Sequence, residues 1–256
     1  VSENSTILLP DGFRHLAFDA VQSTNLVCLE QARAGDEGRL WVTAQRQLKG
    51  KGSRGRGWVS EAGNLYASLL LQEPAPANAL HTLTLVASLA VRDAILAING
   101  AGLARVTLKW PNDVLVNGGK AAGVLLESHV LGGRRHVITG IGINVAHHPV
   151  KTLYPATSLR DEGLDVPLSE LLQHLAGAMA NRLTQWDGGN GMAQIRSDWL
   201  AAAQGVGETI EIRMPASGGE TKITGIFEGI DEEGFLILRG AGGKRERISV
   251  ADIFFA

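Results

Sequence analysis

The segment 48–57, LKGKGSRGRG, restricts the fold more than any other stretch: it places four glycines and four basic residues in ten positions with no apolar periodicity. Such a segment gives neither a helix nor a strand a face to bury, so it has to be an exposed loop. Within it, Gly50, Gly52 and Gly55 match G-x-G-x-x-G, the pattern of dinucleotide-binding folds. Those folds start a helix at the glycines, so that its N-terminus can hold a pyrophosphate. Here residues from Trp58 to Leu71 read as extended chain instead, which argues against the doubly wound class. What remains is a flexible loop whose cations and backbone amides can fold over an anion. Taken alone, the loop fits a solvated basic segment equally well.

The flanking pattern alternates strands and helices. Residues 13–18 read as a strand, and Ser23 and Thr24 offer cap hydroxyls to a helix with Leu26, Leu29 and Ala32 on one face. Leu40 to Ala44 and Asn64 to Leu71 read as extended. Residues 79–98 carry Leu80, Leu83, Ala87, Ala90 and Ala94 at helical intervals, with a stop expected at Asn99 and Gly100. Val106 to Trp110 forms a strand broken at Pro111, and Asn117-Gly118 marks a hairpin between Val114–Val116 and Ala122–Leu126. A further strand is expected over Val137–Val145, and helices over 168–187 and 190–203.

From Gly205 the pattern changes to short alternating strands at Glu208–Arg213, Thr221–Phe227, Phe235–Arg239 and Lys244–Ile253, separated by glycine-rich turns. This places a boundary near residue 204, with a large domain over 1–203 and a small β-barrel over 204–256. The fold class is α+β, a mixed β-sheet flanked by helices.

Composition narrows the function classes. With 45% apolar and 20% charged residues the chain is globular, and a net charge of -2 argues against nonspecific nucleic-acid binding. The single cysteine, Cys28, cannot form an internal disulfide, and no opening stretch has the pattern of a secretion signal, so a cytoplasmic location is expected. No apolar run is expected to reach the roughly 20 residues that span a bilayer. His147-His148 lacks further close ligands and is assigned no metal; His15, His81, His129, His136 and His174 read as structural or exposed. Trp41, Trp186 and Trp199 read as packing residues.

Lys109-Trp110-Pro111-Asn112-Asp113 sits where a strand ends and a hairpin begins, so Lys, Asn and Asp can converge on one turn. Asn112 and Asp113 can equally be ordinary turn residues bonded to nearby backbone. Lys120 starts a strand with apolar neighbours, where a cation is costly unless an anion pairs with it; surface exposure is the alternative.

Together these pieces carry a resemblance. The order Ser23-Thr24-Asn25, Gln47, the glycine and arginine loop, Trp58 and Gly63-Asn64-Leu65-Tyr66 resembles the biotin protein ligases. So does the continuation through Lys109–Asp113, Gly119-Lys120-Ala121-Ala122-Gly123 and Gly140-Ile141-Gly142-Ile143-Asn144. In the last segment Gly225, Ile230-Asp231, Gly234 and Phe235-Leu236 are similar to that family's small C-terminal domain. The resemblance implies a class II synthetase-like catalytic domain of the biotin and lipoate ligase type, followed by an SH3-like barrel.

It further implies that Ser23, Thr24, Asn25 and Gln47 address the ureido ring of biotin. Gly50, Lys51, Gly52, Ser53, Gly123 and Gly142 would line the same site. Arg54, Arg56, Trp58, Asn112 and Asn144 would contact the nucleotide. Lys109 and Asp113 would organise phosphates and magnesium, with Asp113 the candidate metal ligand. Lys120 is the leading catalytic candidate, joined by Lys109 and Arg54, because the chemistry needs cations where negative charge accumulates.

The implied reaction uses ATP and Mg2+, forms biotinyl-5′-AMP from biotin, and transfers biotin to a lysine of a biotin carboxyl carrier protein domain. Neither DNA nor a membrane is an expected partner, and homodimerisation stays open. Only 22 residues precede Ser23, too few for a helix-turn-helix reader. The rivals are a lipoate-type ligase of the same superfamily, a biotin-sensing repressor and a biotin-binding module without ligase activity. One departure stands out: the family loop reads Gly-Arg-Gly-Arg-Arg-Gly-Arg, and this chain has Lys51 and Ser53 at the first two arginine positions. The loop loses a charge and a bidentate fork, so earlier release of the adenylate is expected, unless Arg54 and Arg56 compensate.

Overall fold

The computed structural model describes residues 7–98, 102, 104–216, 219–249 and 251–255. The first sheet contains β1 (Arg14–Val21), β2 (Leu40–Gln47), β3 (Leu65–Gln72), β4 (Val106–Lys109), β5 (Asp113–Val116), β6 (Gly119–Leu131) and β7 (Arg134–Ile143). Their spatial order is β1-β2-β3-β7-β6-β5-β4. Only β1 and β2 run parallel within this sheet. A parallel step needs a crossover, and α1 (Thr24–Arg33) supplies it.

Ser23 caps α1, its Oγ accepting from the Leu26 amide at 3.2 Å. The face that α1 buries differs from the expected one. Thr24, Asn25, Cys28 and Ala32 are buried, while Leu26 and Leu29 are only half-buried. The polar pair is turned inward because it bonds to the sheet: Ser68 Oγ lies 2.7 Å from Thr24 Oγ1 and 2.6 Å from Asn25 Oδ1.

The other helices are α2 (Leu83–Ile98), α3 (Leu168–Trp186) and α4 (Met192–Ala202). They cover the opposite face of the sheet, and the alternation along the strands shows why. On β3, Leu65, Ala67, Leu69 and Leu71 join the large core with α2 and α3, whereas Leu70 joins Cys28, Leu40, Val42 and Ile138 beneath α1. The expected helix stop at Asn99 and Gly100 lies outside the described residues. Contrary to the expectation for apolar runs, Leu80–Ile98 is long and apolar enough to cross a membrane by length and composition. Most of its length is buried against the sheet and α3.

The second sheet contains β8 (Thr209–Ala216), β9 (Gly219–Ile230), β10 (Leu236–Arg239), β11 (Arg245–Ile248) and β12 (Asp252–Phe255). Its order is β11-β10-β9-β8-β12, all antiparallel. The single strand expected over Lys244–Ile253 is therefore two: β11 pairs with β10 and β12 with β8, so they lie at opposite edges. Among the described residues no ladder joins those edges, which makes this an open SH3-like sheet rather than a barrel closed by hydrogen bonds. Ile210, Ile212, Phe227 and Leu236 continue the large core into this sheet. Trp110 Nε1 donates to the carbonyl of Gly234 at 3.0 Å, which ties the turn after β4 to the same region. Trp41, Trp186 and Trp199 are fully buried packing residues, as expected.

Candidate active site

Sheet register builds the floor of a cavity of about 290 Å³. Residues directly opposite one another on neighbouring strands project to the same face. Lys109 faces Asp113, Asp113 faces Gly123, Gly123 faces Gly142, and Gly142 faces Tyr66. One row across five strands thus carries two charged residues, then two glycines, then a phenol. The glycines open a trough in the middle of the row, and the Trp58 indole lies in it. A Cβ at Gly142 would come within 2.6 Å of the indole, and one at Gly123 within 3.1 Å. At Gly140, two residues along β7 on the same face, a Cβ would collide with the Asn25 amide.

Lys120 reaches this face through an irregularity. The β5–β6 register shifts between Val114 and Leu115, leaving Ala121 as the extra residue. Such a bulge re-aims the side chain beside it, and Lys120 comes to lie over Gly123, three positions away. Its Nζ is 2.6 Å from Asp113 Oδ1. The Trp58 ring centroid lies 5.3 Å from the ammonium and the Tyr154 centroid 5.6 Å. Burial disfavours the charge, but the Asp113 carboxylate, helped by Tyr154, outweighs it and raises the lysine above its ordinary value.

Lys109 is the opposite case. Burial lowers it to about 8, with Asp113 opposing that and Lys120 adding to it. Its Nζ rests 3.4 Å from the Tyr154 ring centroid, with Phe254 and Phe255 near 5.7 and 5.8 Å. Lys109 and Asp113 are therefore behind the cavity wall rather than on it. The remaining oxygen of Asp113 accepts from the Tyr154 hydroxyl at 3.0 Å.

At the other end of the trough, Ser23, Thr24, Asn25 and Gln47 line the cavity. Gln47 Oε1 accepts from the Thr24 amide at 2.9 Å, and its Nε2 donates to Ser60 Oγ at 2.9 Å. Asn25 Nδ2 donates to Glu127 at 2.7 Å. These groups hold one another in fixed orientations, as a site for a neutral polar ring requires. Asn112 and Asn144 also line the cavity. Asn112 donates to the Val124 carbonyl at 2.6 Å and Asn144 to the Thr157 carbonyl at 3.1 Å. Both have the backbone-bonding role that turn residues often take.

Loop 48–57 forms the roof. Lys51, Gly52, Ser53, Arg56 and Trp58 line the cavity; Gly50 and Arg54 do not. Gly50 has to be glycine because a Cβ would collide with Ser60 and the Trp58 carbonyl. No helix begins at these glycines: the loop holds a short turn at Ser53–Gly55 and continues into β3. Arg54 points away, to Asp252 on β12.

Comparison with known proteins now decides the family. The biotin/lipoate A/B protein ligase family matches residues 17–144, and the biotin protein ligase C-terminal domain matches residues 206–256. A biotin–[acetyl-CoA-carboxylase] ligase of Paracoccus denitrificans is 44% identical over 240 residues, covering 91% of this chain and 97% of that protein. The chain belongs to the biotin protein ligases. The Aquifex aeolicus biotin protein ligase, solved with biotin and ATP, superposes with a TM-score of 0.78 at 27% identity, covering 95% of this chain and 99% of that one. The Leishmania major biotin protein ligase, solved with biotinyl-5-AMP, gives a TM-score of 0.68 at 25% identity over 94% of this chain and 100% of that one.

Beyond the family's motifs, four residues shape this ligase site without having been singled out in the sequence. Ser68 gave a signal, being the lone polar residue inside an apolar strand. Glu127, Tyr154 and Asp252 gave none, because each reaches the site through topology and not through a motif.

Proposed function

We infer that the chain is a biotin–[carboxylase] ligase that makes biotinyl-5′-AMP from biotin and ATP, then passes the biotinyl group to a carrier lysine. The supporting observation is a half-buried ammonium, Lys120, paired with Asp113 and lining the same cavity as the polar network and the basic loop. In the first step a biotin carboxylate oxygen attacks the α-phosphorus and pyrophosphate leaves. In the second the carrier amine attacks the acyl carbonyl and AMP leaves. Neither step needs a protein nucleophile, so positioning and charge neutralisation carry the rate.

Ser23, Thr24, Asn25 and Gln47 would hold the ureido ring, with Ser68, Ser60 and Glu127 fixing their orientation. Lys120 would sit at the junction of carboxylate and α-phosphate, kept protonated by Asp113. Trp58, in its glycine trough, and the loop above would keep water from the mixed anhydride. Asn112 and Asn144 would edge the nucleotide end. Asp113 does not fit a magnesium ligand, since its two oxygens already serve Lys120 and Tyr154. Among the described residues no three acidic, histidine or cysteine side chains cluster to hold a metal. Magnesium enters this proposal only as the ion that ATP carries on its phosphates. A cytoplasmic site of action belongs to the same proposal.

The test is incubation with biotin, magnesium ATP and a carboxylase carrier domain, followed by the mass of the carrier. A gain of one biotinyl group, absent when lipoate replaces biotin, is the expected result. An unchanged carrier mass would refute the reading.

A further inference from the structure

We propose that Asp252, on the last strand of the small sheet, is the positioning residue that holds loop 50–57 over the cavity. On this proposal Arg54 and Arg56 are committed to that carboxylate rather than to a nucleotide phosphate. The idea rests on the adenylate-forming reading for its consequence, but its geometry stands without it.

Arg56 donates through Nη1 to Asp252 Oδ2 and through Nη2 to Oδ1, both at 3.0 Å, which is the two-pronged pairing of guanidinium with carboxylate. The same guanidinium donates to Ser53 Oγ at 3.0 Å and to the Ser53 carbonyl at 3.3 Å. With those contacts made, few of its N–H groups are left for a ligand. Arg54 donates to Asp252 Oδ2 at 2.8 Å and more weakly to the Arg213 carbonyl at 3.4 Å. Its backbone sits at φ +59°, a left-handed conformation that non-glycine residues adopt only when something holds them. Asp252 supplies that hold.

The carboxylate is well placed for it. Asp252 pairs with Arg213 at the start of β12, so it is carried by a ladder, and its side chain is only 13% exposed. Partial burial shields the contact from the screening that weakens surface pairs. Among the described residues the loop's one other ion pair is Lys51 with Glu127, at a loose 3.9 Å with Lys51 60% exposed. Loss of the Asp252 charge would leave two neighbouring arginines repelling each other, with only neutral acceptors, the Ser53 oxygens and the Arg213 carbonyl, to bind. The small sheet therefore sets where the roof rests, although no described residue of that sheet lines the cavity.

The test compares the parent protein with Asp252→Asn, which keeps the shape and removes the charge. Hydrogen exchange of the ligand-free protein reads the latch directly, because the Gly52 and Trp58 amides are bonded within the loop at 2.7 and 2.9 Å. Exchange at these amides should accelerate roughly threefold or more in Asp252→Asn, as loss of a favourable ion pair would give. Asp252→Glu should restore slow exchange. The double variant Arg54→Ala/Arg56→Ala breaks the latch from the loop side, without touching β12, and should accelerate exchange to the same degree. In protein loaded with biotin and ATP, Asp252→Asn should release biotinyl-5′-AMP about threefold faster. The rate of its formation at saturating biotin and ATP should change less than that.

Combining Asp252→Asn with Arg54→Ala/Arg56→Ala should add nothing to the exchange rate of either alone, because the double arginine variant already removes both partners of the carboxylate. Unchanged exchange in both Asp252→Asn and the double arginine variant would overturn the proposal. So would a release rate that Arg56→Ala raises far more than Asp252→Asn does, since Arg56 would then be gripping the phosphate. A parent protein that forms no adenylate refutes the ligase reading and leaves the exchange result to judge the latch.

Discussion

The floor of the cavity is carried by hydrogen-bonded strands, with Gly123 and Gly142 facing one another across β6 and β7 and Asp113 on β5 behind the wall. Its roof is a glycine-rich loop tied down by a few side chains, chiefly Arg54 and Arg56 to Asp252 and Lys51 to Glu127. Moving a floor residue means breaking a ladder, whereas lifting the roof means exchanging partly exposed ion pairs, each worth about 1 kcal/mol or less. Chemistry that must be placed to a fraction of an ångström belongs on the first, and a cover that must open for ATP and carrier on the second. Substitutions in the floor should therefore change the rate of bond making, and substitutions in the roof the lifetime of what is bound.

Lys120→Ala tests the floor most severely. A charge-assisted hydrogen bond contributes about 1.5 to 3 kcal/mol, so ATP and pyrophosphate exchange dependent on biotin should slow at least about tenfold. The substitution also leaves Asp113 buried with Tyr154 as its remaining partner, so a lowered melting temperature is expected alongside. Pairing it with Asp113→Asn should recover stability but not exchange activity. Parental exchange by a folded Lys120→Ala protein would remove the ammonium from the mechanism.

Lys109→Met tests whether the second lysine belongs to the chemistry or to the frame. Burial lowers Lys109 to about 8, so below that pH its charge is held at a cost the unfolded chain does not bear. Between about 8 and the ordinary lysine value the unfolded state binds the extra proton, so the parent gains stability as pH rises through that window. At pH 7 the variant should be more stable than the parent by up to about 3 kcal/mol, and the gap should close as pH approaches 10.5. Denaturant melts at pH 7 and pH 10 measure this. A variant less stable at pH 7 would mean that the Tyr154, Phe254 and Phe255 rings and Asp113 more than compensate the buried charge.

Much of the floor is legible in the sequence, and the reason is physical. Asn117-Gly118 adopts left-handed angles at both positions, +49° and +87° in φ, so the hairpin that sets β5 against β6 follows from two residue types. Ser23, Gln47, Lys120 and Asn144, each at or within two residues of a strand end, all line one cavity. The bulge at Ala121, which turns Lys120 over Gly123, has no signature in an Ala-Ala pair. The roof is less legible still. The loop announces itself by glycines and cations, but what its arginines bind lies almost 200 residues further on, and β12 looks in sequence like the tail of one longer strand. Local pattern specifies local turns; long-range ion pairs need the topology first.

Ser53→Arg is the gentlest test and concerns the roof alone. Ser53 lines the cavity and accepts from Arg56, so its loss removes one bond that steadies a latch arginine. The incoming guanidinium would be the one loop arginine not already paired with Asp252, and it would face an anionic adenylate. A new charge-assisted contact outweighs a single lost hydroxyl acceptor, so biotinyl-5′-AMP should dissociate about two- to fivefold more slowly from Ser53→Arg. The rate of adenylate formation should stay near the parental value, because nothing in the floor has moved. Chasing loaded protein with unlabelled biotin and ATP gives the dissociation rate. If release instead accelerates, the Ser53 contact to Arg56 is worth more to the closed roof than a third arginine, and the serine is part of the latch.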